Sequence, residues 1–384
     1  MEFMGYRRKT GKVGIRNHVL VFPTVVCSSE EARMISEKVP GTVYAIHGAG
    51  CGHVGEDKEQ VIRTMVGICG HGNVASVLLV ENGCEVITPE VLMPYLDEMG
   101  QPYAVVSVQE DGGTPGCVEK GIGIAQKMVD EANKLQKEPI PLSELILGCE
   151  CGGSDAFSGL TANPALGIAA DKLIEEGGTA IFSETTEMLG CENVLARRAL
   201  DEQVAKDIYD AIANAEKTAM SGGVDIRGTQ PSPGNIEGGL SSIEEKSLGC
   251  IRKGGNTTIT QVVKYAEHPT RKGCVIMDAT AADVMNNTGL LAGGCHLIVF
   301  TTGRGTPVGA NIAPVIKVST NSVLYNKMKP NIDVNAGVIV DGEGTLESVG
   351  QEIFDKIVAV ANGELSKAEA LGHREFDIHF RMII

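Results

Sequence analysis

The chain has 384 residues, 43% of them hydrophobic, and its 49 acidic residues outnumber its 33 Lys and Arg to give a net charge of −16 at pH 7. This negative charge argues against nucleic acids and anionic membranes as partners, because phosphate groups are bound by clustered Lys and Arg. No apolar run has the length of a signal peptide or a membrane span, and eleven scattered cysteines in so long a chain are typical of a reduced compartment, so we expect a cytoplasmic protein.

Strand and helix patterns alternate through the first third of the chain. Apolar runs rich in Val, Ile and Leu predict buried parallel strands near 19–26, 42–47, 75–80 and 103–108. Helical patterns follow these strands near 29–38, near 56–68, from Pro89 onward and near 117–136. This alternation predicts a doubly wound parallel sheet of the Rossmann or flavodoxin type.

A polar stretch with two prolines at 137–144 predicts a domain boundary. We therefore expect an N-terminal α/β domain (1–138) followed by a larger C-terminal α/β domain (139–384). Strands of the second domain are predicted near 145–148, 179–183, 274–278, 296–301 and 314–319. The Gly-, Ser- and Pro-rich segment 221–256 predicts irregular structure.

Four predicted strands are followed by a cysteine, namely Cys27, Cys51, Cys84 and Cys149. Ligands of open α/β sheets bind in the crevice beyond the carboxyl ends of the strands, so the sequence places thiols where a functional site forms. Because Cys149 lies beyond the predicted boundary, we expect the four thiols to mark two walls of a cleft rather than one four-thiolate cluster.

A candidate metal site follows the predicted strand at 42–47. His47, Cys51 and His53 combine two imidazoles and a thiol on one glycine loop, a donor set that suits Fe(II), Mn(II) or Zn(II). Glu85 adds a carboxylate after the next strand. We predict His47, Cys51 and Glu85 as metal ligands; the alternative is a pair of ordinary polar turns with packed thiols.

A second group of ionisable residues follows strands of the predicted C-terminal domain. Cys149-Glu150-Cys151-Gly-Gly-Ser154-Asp155 combines thiols and acids with glycines whose backbone N–H groups can bind a carboxylate. Glu184 and Glu187 suit acid–base work or a cation, and Arg304 in a glycine loop suits a substrate carboxylate. Glycine turns and the first turn of a helix are the alternatives for these segments.

These segments resemble the altronate/galactarate dehydratase family. The resemblance runs through Gly5-Tyr-Arg-Arg, GKVGIRNH, HGAGCG, NGCE, CGGSDAFSGLTANPALG, TAIFSET, PSPGNIEGGLSSIEEKSLG, VFTTGRGTPVG and DVNAG, and so covers nearly the whole chain. It implies a metal-dependent hydro-lyase that converts a sugar acid such as altronate or galactarate to a 2-keto-3-deoxy acid. Fe(II) is the first expectation for the metal and Mn(II) the second.

The resemblance also implies partners and roles. Single-chain members carry a small SAF-type domain ahead of the stretch that begins here at Gly5, so we expect a large catalytic subunit that works with a separate SAF-type small subunit. We also expect a homo-oligomer. The predicted catalytic residues are His47, Glu187 and Asp155, with His47 or Glu187 as the base. The predicted substrate-binding residues are Cys151, Ser154, Arg304 and Glu184.

Three alternatives stay open. The first is the large subunit of a sulfolactate sulfo-lyase, a relative in the wider family, although the HGAGCG and NGCE segments look more like the sugar-acid members. The second is a dehydratase in which several of the cysteines hold a [4Fe–4S] cluster. The third is a non-catalytic subunit whose partner carries the activity.

Overall fold

The protein is described here by a computed structural model that covers residues 1–9 and 11–381. Strands and helices alternate in its first part, as the hydrophobic pattern predicts. The strands are β1 (Glu2–Arg7), β2 (Val13–Gly14), β3 (His18–Pro23), β4 (Thr42–Tyr44), β5 (Val74–Glu81) and β6 (Tyr103–Ser107). The helices are α1 (Ser29–Lys38), α2 (Gly55–Cys69), α3 (Pro89–Glu98) and α4 (Gly113–Ala132).

Strands β3 to β6 form a four-stranded parallel sheet in the order β4-β3-β5-β6. Helices α1 and α4 cover one face, while α2 and α3 cover the other. Both faces are buried, which explains the continuous Val and Leu runs of these strands. The carboxyl ends of β3, β4 and β5 consequently lie side by side at one edge.

The second part carries a larger parallel sheet. Its strands are β7 (Glu138–Pro141), β8 (Ile146–Gly152), β9 (Thr179–Phe182), β10 (Ile259–Lys264), β11 (Gly273–Asp278), β12 (Leu297–Thr302), β13 (Val315–Ser319) and β14 (Val334–Asn335). Its helices are α5 (Ala162–Glu175), α6 (Glu192–Ala196), α7 (Glu202–Ser221), α8 (Ile226–Thr229), α9 (Pro233–Glu237), α10 (Ile243–Cys250), α11 (Asp283–Ala292), α12 (Ser322–Lys327), α13 (Leu346–Ala361) and α14 (Lys367–Ala370).

Seven of these strands form a parallel sheet in the order β10-β11-β9-β8-β12-β13-β14. Helices α5 and α13 pack on one face, and α11 packs on the other. The two parallel sheets confirm the predicted α/β fold class. In residues 1–9 and 11–381, no helix combines the length and the apolar character needed to cross a bilayer.

The two sheets share one apolar core. Met65 and Ile68 of α2 lie in the same buried cluster as Leu290 and Leu291 of α11 and Phe300 of β12. Burying each side chain of this size stabilises the fold by about 1.5–3 kcal/mol.

Strand pairing connects the segments on the two sides of the boundary predicted at residue 138. Strand β1 pairs antiparallel with β7, with Phe3 opposite Ile140, and β2 pairs with the other edge of β1. The backbone N–H of Met4 donates to Oδ1 of Asn362, just beyond α13. Residues from both sides of the boundary therefore form one small sheet, and the division at residue 138 remains a prediction.

Candidate active site

The carboxyl edge of the seven-stranded sheet gathers ionisable side chains from two neighbouring strands. Glu150 and Cys151 lie in the last three residues of β8. After β9 the chain passes through Glu184 into a 3₁₀ turn that contains Glu187. Because β8 and β9 are adjacent and parallel, both segments leave the sheet on the same side.

Cys250, the last residue of α10, and Lys253, in the 3₁₀ turn that follows it, complete this group. The Sγ atoms of Cys151 and Cys250 lie 3.6 Å apart, and Nζ of Lys253 lies 3.1 Å from each of them. The Cys151 thiol lies 3.4 Å from Oε2 of Glu184 and 3.7 Å from Oε2 of Glu187. We call Cys151, Glu184, Glu187, Cys250 and Lys253 the acid–thiol cluster.

Glu184 enters this cluster through an unusual backbone conformation. Its φ of +74° lies in the left-handed region, where a residue other than glycine costs on the order of 1–3 kcal/mol. Its Oε2 accepts a hydrogen bond of 3.2 Å from the backbone N–H of Cys151 and contacts Nζ of Lys253. Strain of this kind persists where surrounding contacts impose it, and it is concentrated at functional sites.

Burial shifts the protonation equilibria of the cluster. Desolvation raises the pKa of Glu184 to about 8 and that of the neighbouring Asp283 to about 6. Burial alone would lower the pKa of Lys253, but the two thiols and Glu184 outweigh it and the pKa rises, so the ammonium stays charged. The site therefore holds a fixed positive charge among acids that keep their protons unusually well.

Glu150 is a fully buried acid beside the cluster. Desolvation raises its pKa well above the usual range. Its Oε2 accepts a hydrogen bond from Nδ2 of Asn286, which also donates to Oγ of Ser183 at 2.8 Å. Its Oε1 has no hydrogen-bond partner among the described residues. Burial without a partner for this oxygen favours the protonated form of Glu150, since an isolated carboxylate at this depth would be costly.

A small cavity opens beside the cluster. It has a volume of about 40 Å³, room for a few water molecules, and its lining includes Glu187, Lys246 and Gln230. Nζ of Lys246, in α10, lies 2.8 Å from Oε1 of Glu187 and 3.0 Å from Oε1 of Gln230. Glu187 and Lys246 are thus the charged groups that an entering molecule meets first.

A larger cavity of about 950 Å³ lies at the opposite ends of the strands. It is lined by Ile146 and Thr179, which begin β8 and β9, and by His71 and His296 among others. Both histidines are buried, and burial lowers their pKa values. The smaller cavity, and not this one, adjoins the acid–thiol cluster and lies at the carboxyl ends of the strands, where ligands of parallel sheets bind.

The structure thus brings together three of the residues predicted from the sequence, Cys151, Glu184 and Glu187. Lys246, Cys250 and Lys253 were not predicted as site residues. They lie in the segment predicted to be irregular, about a hundred residues from Cys151 along the chain. The Cys250-x-x-Lys253 spacing is the only local signal that could have drawn attention to them.

Asp155 and Ser154 lie in a loop that side-chain hydrogen bonds hold in place. The Asp155 carboxylate accepts hydrogen bonds from Thr320, at 2.8 Å, and from Asn321 and Ser158, at 3.1 and 3.0 Å. The Ser154 carbonyl accepts one of 3.0 Å from Asn235. This network supports a structural role for Asp155 rather than the predicted catalytic one.

Arg304 is also engaged by protein groups. Its guanidinium lies 2.9 Å from Oε2 of Glu237 and donates to the carbonyl of Gly234 at 2.9 Å. Both partners belong to α9, so Arg304 fastens this helix to the loop after β12. The predicted contact with a substrate carboxylate would require this pair to separate.

The metal ligands predicted in the first sheet do not converge. Nε2 of His47 lies 2.8 Å from the Pro23 carbonyl, and its Nδ1 accepts from the backbone N–H of Ala49, so both ring nitrogens are occupied. Burial lowers its pKa to about 4, which makes it neutral. The Glu85 carboxylate accepts from Thr24 and from backbone N–H groups of its own turn, while Cys51 is exposed. The structure therefore supports the alternative of polar turns for His47 and Glu85.

A different set of residues fits a metal ion. In residues 1–9 and 11–381, the group of His, Cys, Asp and Glu side chains with ligand atoms within 4.8 Å of one another comprises Cys151, Glu184, Glu187 and Cys250. Two sulfurs and two carboxylate oxygens suit Fe(II) or Zn(II) better than a hard cation. The Lys253 ammonium lies among these donors, so a bound ion would have to take over its role as their counter-charge.

Comparison with known proteins gives a match over nearly the whole chain. Residues 142–383 match the C-terminal domain of D-galactarate/altronate dehydratases, and residues 5–133 match the second domain of D-galactarate dehydratase/altronate hydrolase.

Three relatives illustrate the range of this match. Altronate dehydratase of Bacillus subtilis (strain 168) is 35% identical over 98% of this chain and 77% of its own length. The (2R)-sulfolactate sulfo-lyase subunit beta of Chromohalobacter salexigens is 36% identical over 97% of this chain and 96% of its own. Galactarate dehydratase (L-threo-forming) of Escherichia coli (strain K12) is 39% identical over 79% of this chain and 59% of its own. The chain belongs to the D-galactarate/altronate dehydratase family and is a hydro-lyase of that type.

Proposed function

We propose that the protein dehydrates a sugar acid of the altronate or galactarate class to a 2-keto-3-deoxy acid, and that the acid–thiol cluster is its active centre. The observation that carries this proposal is the buried cluster itself, which lies at the carboxyl edge of β8 and β9 within the family-matched domain. The names of the relatives support the substrate class.

In this proposal Glu187 is the base. It lines the small cavity, unlike the fully buried Glu184, and it is held by Lys246. The Glu187 carboxylate takes the proton from C2, the carbon bonded to the substrate carboxylate. The Lys246 ammonium stabilises the negative charge that develops on the substrate. The same proton can then pass to the leaving 3-hydroxyl, so that water forms and the enol product ketonises without a net change in the protonation of the site.

Substrate entry requires the cover of the cluster to move. A six-carbon acid needs a pocket of several hundred Å³, whereas the cavity at Glu187 measures about 40 Å³. The segment from α8 to α10 contributes Gln230, Ile243, Lys246 and Ser247 to the lining of this cavity. We therefore propose that this segment opens for substrate, and that the Arg304–Glu237 pair holds it closed.

We further propose that the enzyme depends on a divalent metal, Fe(II) first and Mn(II) second. Cys151, Glu184 and Cys250 would hold the ion, with the Glu187 carboxylate beside it as the base. When bound, it would supply electrophilic stabilisation of the substrate's carboxylate and hydroxyl oxygens. The two sulfur donors favour Fe(II) over Mn(II) in this order.

The remaining proposals concern the location of the protein in the cell and its subunit composition. We propose a cytoplasmic enzyme that forms a homo-oligomer and works with a separate SAF-type small subunit. One relative of nearly the same extent is itself named as a subunit, which supports a multi-subunit assembly.

The test is a screen of aldonic and aldaric acids with Fe(II) or Mn(II), in the presence and absence of a SAF-type small subunit, with 2-keto acid formation as the readout. Turnover of a sugar acid that is lost in Glu187→Gln is the expected result. Absence of 2-keto acid with every acid and metal tested would contradict the proposal.

A second candidate function is the elimination of sulfite from sulfolactate. It is favoured by one observation: the sulfo-lyase subunit beta aligns over 96% of its own length, more than the altronate dehydratase does. Sulfite release from sulfolactate, with no keto acid formed from any sugar acid, would select this function.

A further inference from the structure

Three of the eleven cysteines are exposed, and all three lie at one edge of the four-stranded sheet. Cys27 follows β3, Cys51 follows β4 and Cys84 follows β5, and these strands are neighbours in the order β4-β3-β5. The other eight cysteines are buried, including Cys149, which lies inside β8. The pattern of four thiols in the sequence therefore separates into one packed thiol and three exposed ones.

Hydrogen bonds join the three loops that carry these thiols. The backbone N–H of Val26 donates to the carbonyl of Ala49 at 2.9 Å, which links the Cys27 loop to the Cys51 loop. The carbonyl of Gly50 accepts from the backbone N–H groups of Val86 and Ile87, both at 3.2 Å, which links the Cys51 loop to the Cys84 loop. Ala49 and Gly50 thus accept the hydrogen bonds that link the three loops, and each cysteine lies within two residues of one of these bonds.

The contact at Gly50 is too close for any side chain. Gly50 has a φ of +112°, and a Cβ atom there would lie 2.3 Å from the carbonyl oxygen of Thr24. Thr24 in turn donates to Oε1 of Glu85, in the Cys84 loop, at 2.5 Å. Hydrogen bonds and close packing therefore hold the backbones of the three loops together, and with them the three Cα positions from which the thiols project.

The surroundings of the thiols suit an inorganic cofactor. Nδ2 of Asn82 donates to the Cys84 sulfur at 3.1 Å, and hydrogen bonds to sulfur tune iron–sulfur centres. Val26, Ile46 and Val86 are 45%, 40% and 42% exposed beside the three loops, an apolar rim that can shield a bound group from water.

Single-ion binding fits these three thiols less well. They are absent from the group of metal-ligating atoms that lie within 4.8 Å of one another in the described part of the chain. A four-iron cluster holds its thiolates farther apart than one ion does, because each thiolate binds a different iron.

We propose that Cys27, Cys51 and Cys84 hold a [4Fe–4S] cluster whose fourth iron has no ligand from the protein. That iron keeps an exchangeable position, which an oxygen ligand such as a hydroxyl or carboxylate can occupy. This site is separate from the acid–thiol cluster and does not depend on the proposed function.

The test is anaerobic reconstitution of the full chain with equal amounts of ferrous and ferric iron and with sulfide, followed by measurement of iron, acid-labile sulfide and visible absorption. We expect about four sulfides and a brown colour, with about four irons per chain in addition to any single ion bound at the acid–thiol cluster. The triple variant Cys27→Ser, Cys51→Ser, Cys84→Ser should lose the sulfide, the colour and about four irons, while Cys151→Ser with Cys250→Ser, which removes two donors of the proposed single-ion site, should retain them. Circular dichroism and gel filtration establish that each variant is folded.

Three results would overturn the proposal. They are iron uptake without sulfide, sulfide that persists in the triple variant, and a disulfide between two of the three cysteines in anaerobically purified protein. None of these measurements uses dehydratase activity, so the proposal can fail while the proposed function stands.

Discussion

The ammonium of Lys253 lies 3.1 Å from the sulfur of Cys151 and in contact with Glu184, at a depth where all three side chains are closed to solvent. A buried acid is costly unless a positive charge accompanies it. The cluster therefore contains its own counter-ion before any metal or substrate arrives, and this relationship leads to the first two predictions.

At pH 9, where Glu184 is ionised, Lys253→Met should destabilise the protein by about 3–5 kcal/mol, because it leaves a buried carboxylate without its cation. Urea unfolding followed by circular dichroism measures the change. Lys206→Met is the matched control: Lys206 forms an exposed pair with Asp210 on α7, so its loss should cost under about 1 kcal/mol. Equal losses in the two variants would show that the buried pair has no special importance.

The contribution of Glu184 to the free energy of unfolding should fall as the pH rises from 7 to about 8 and level off by pH 9. The pKa of Glu184 is raised to about 8, so the folded protein keeps a proton that the unfolded chain has already released, and this advantage disappears above the raised value. One such group contributes a slope of at most about 1.4 kcal/mol per pH unit. Buried histidines such as His47 and His296, with pKa values lowered to about 4, oppose this trend only below pH 7. Above that pH they are neutral in both the folded and the unfolded chain.

Glu184→Gln should flatten this pH dependence. The amide retains an acceptor for the backbone N–H of Cys151 but does not titrate. Unfolding curves at pH 7, 8 and 9 test the expectation, and an unchanged slope would assign the dependence to another group.

Glu187→Gln should lower kcat on the order of 10²- to 10⁴-fold with a small change in KM, since it removes a base and not a binding group. Glu202→Gln, on the exposed first turn of α7, is a control of the same chemistry and should leave both constants unchanged. A large rise in KM at constant kcat would instead make Glu187 a substrate-binding residue.

Arg304→Ala should make the segment from α8 to α10 more susceptible to proteolysis while changing stability by less than about 1 kcal/mol, because the Arg304–Glu237 pair is exposed. Glu237→Gln removes the other half of the pair and should have the same effect. If Arg304 bound the substrate carboxylate, only the arginine variant would raise KM strongly, which would restore the role predicted from the sequence.

The sequence predicts the fold better than it predicts the site. Buried parallel strands are continuous runs of apolar residues, so β3, β5 and β12 can be recognised from local composition. Glu184 and Glu187 can be recognised as well, because carboxylates directly after a strand lie at the edge where ligands bind.

Lys253 could not be predicted as a partner of Cys151. The two are about a hundred residues apart, and the segment that brings them together has no hydrophobic period to orient it. Conversely, the sequence predicts His47 as a metal ligand because it shows the short spacing between His47 and Cys51. It does not show that Nε2 of His47 is hydrogen-bonded to the Pro23 carbonyl. The sequence shows which side chains are close along the chain. It does not show which of them have their polar atoms occupied by hydrogen bonds in the folded protein.

The apolar core shared by α2 and α11 has a consequence for cooperativity. Because Met65 and Leu290 belong to one buried cluster, neither sheet can lose its packing without exposing the other. The two parts should therefore melt in one calorimetric transition. A cavity created at Met65 should weaken the sheet that carries the active centre as much as the sheet that carries the exposed thiols.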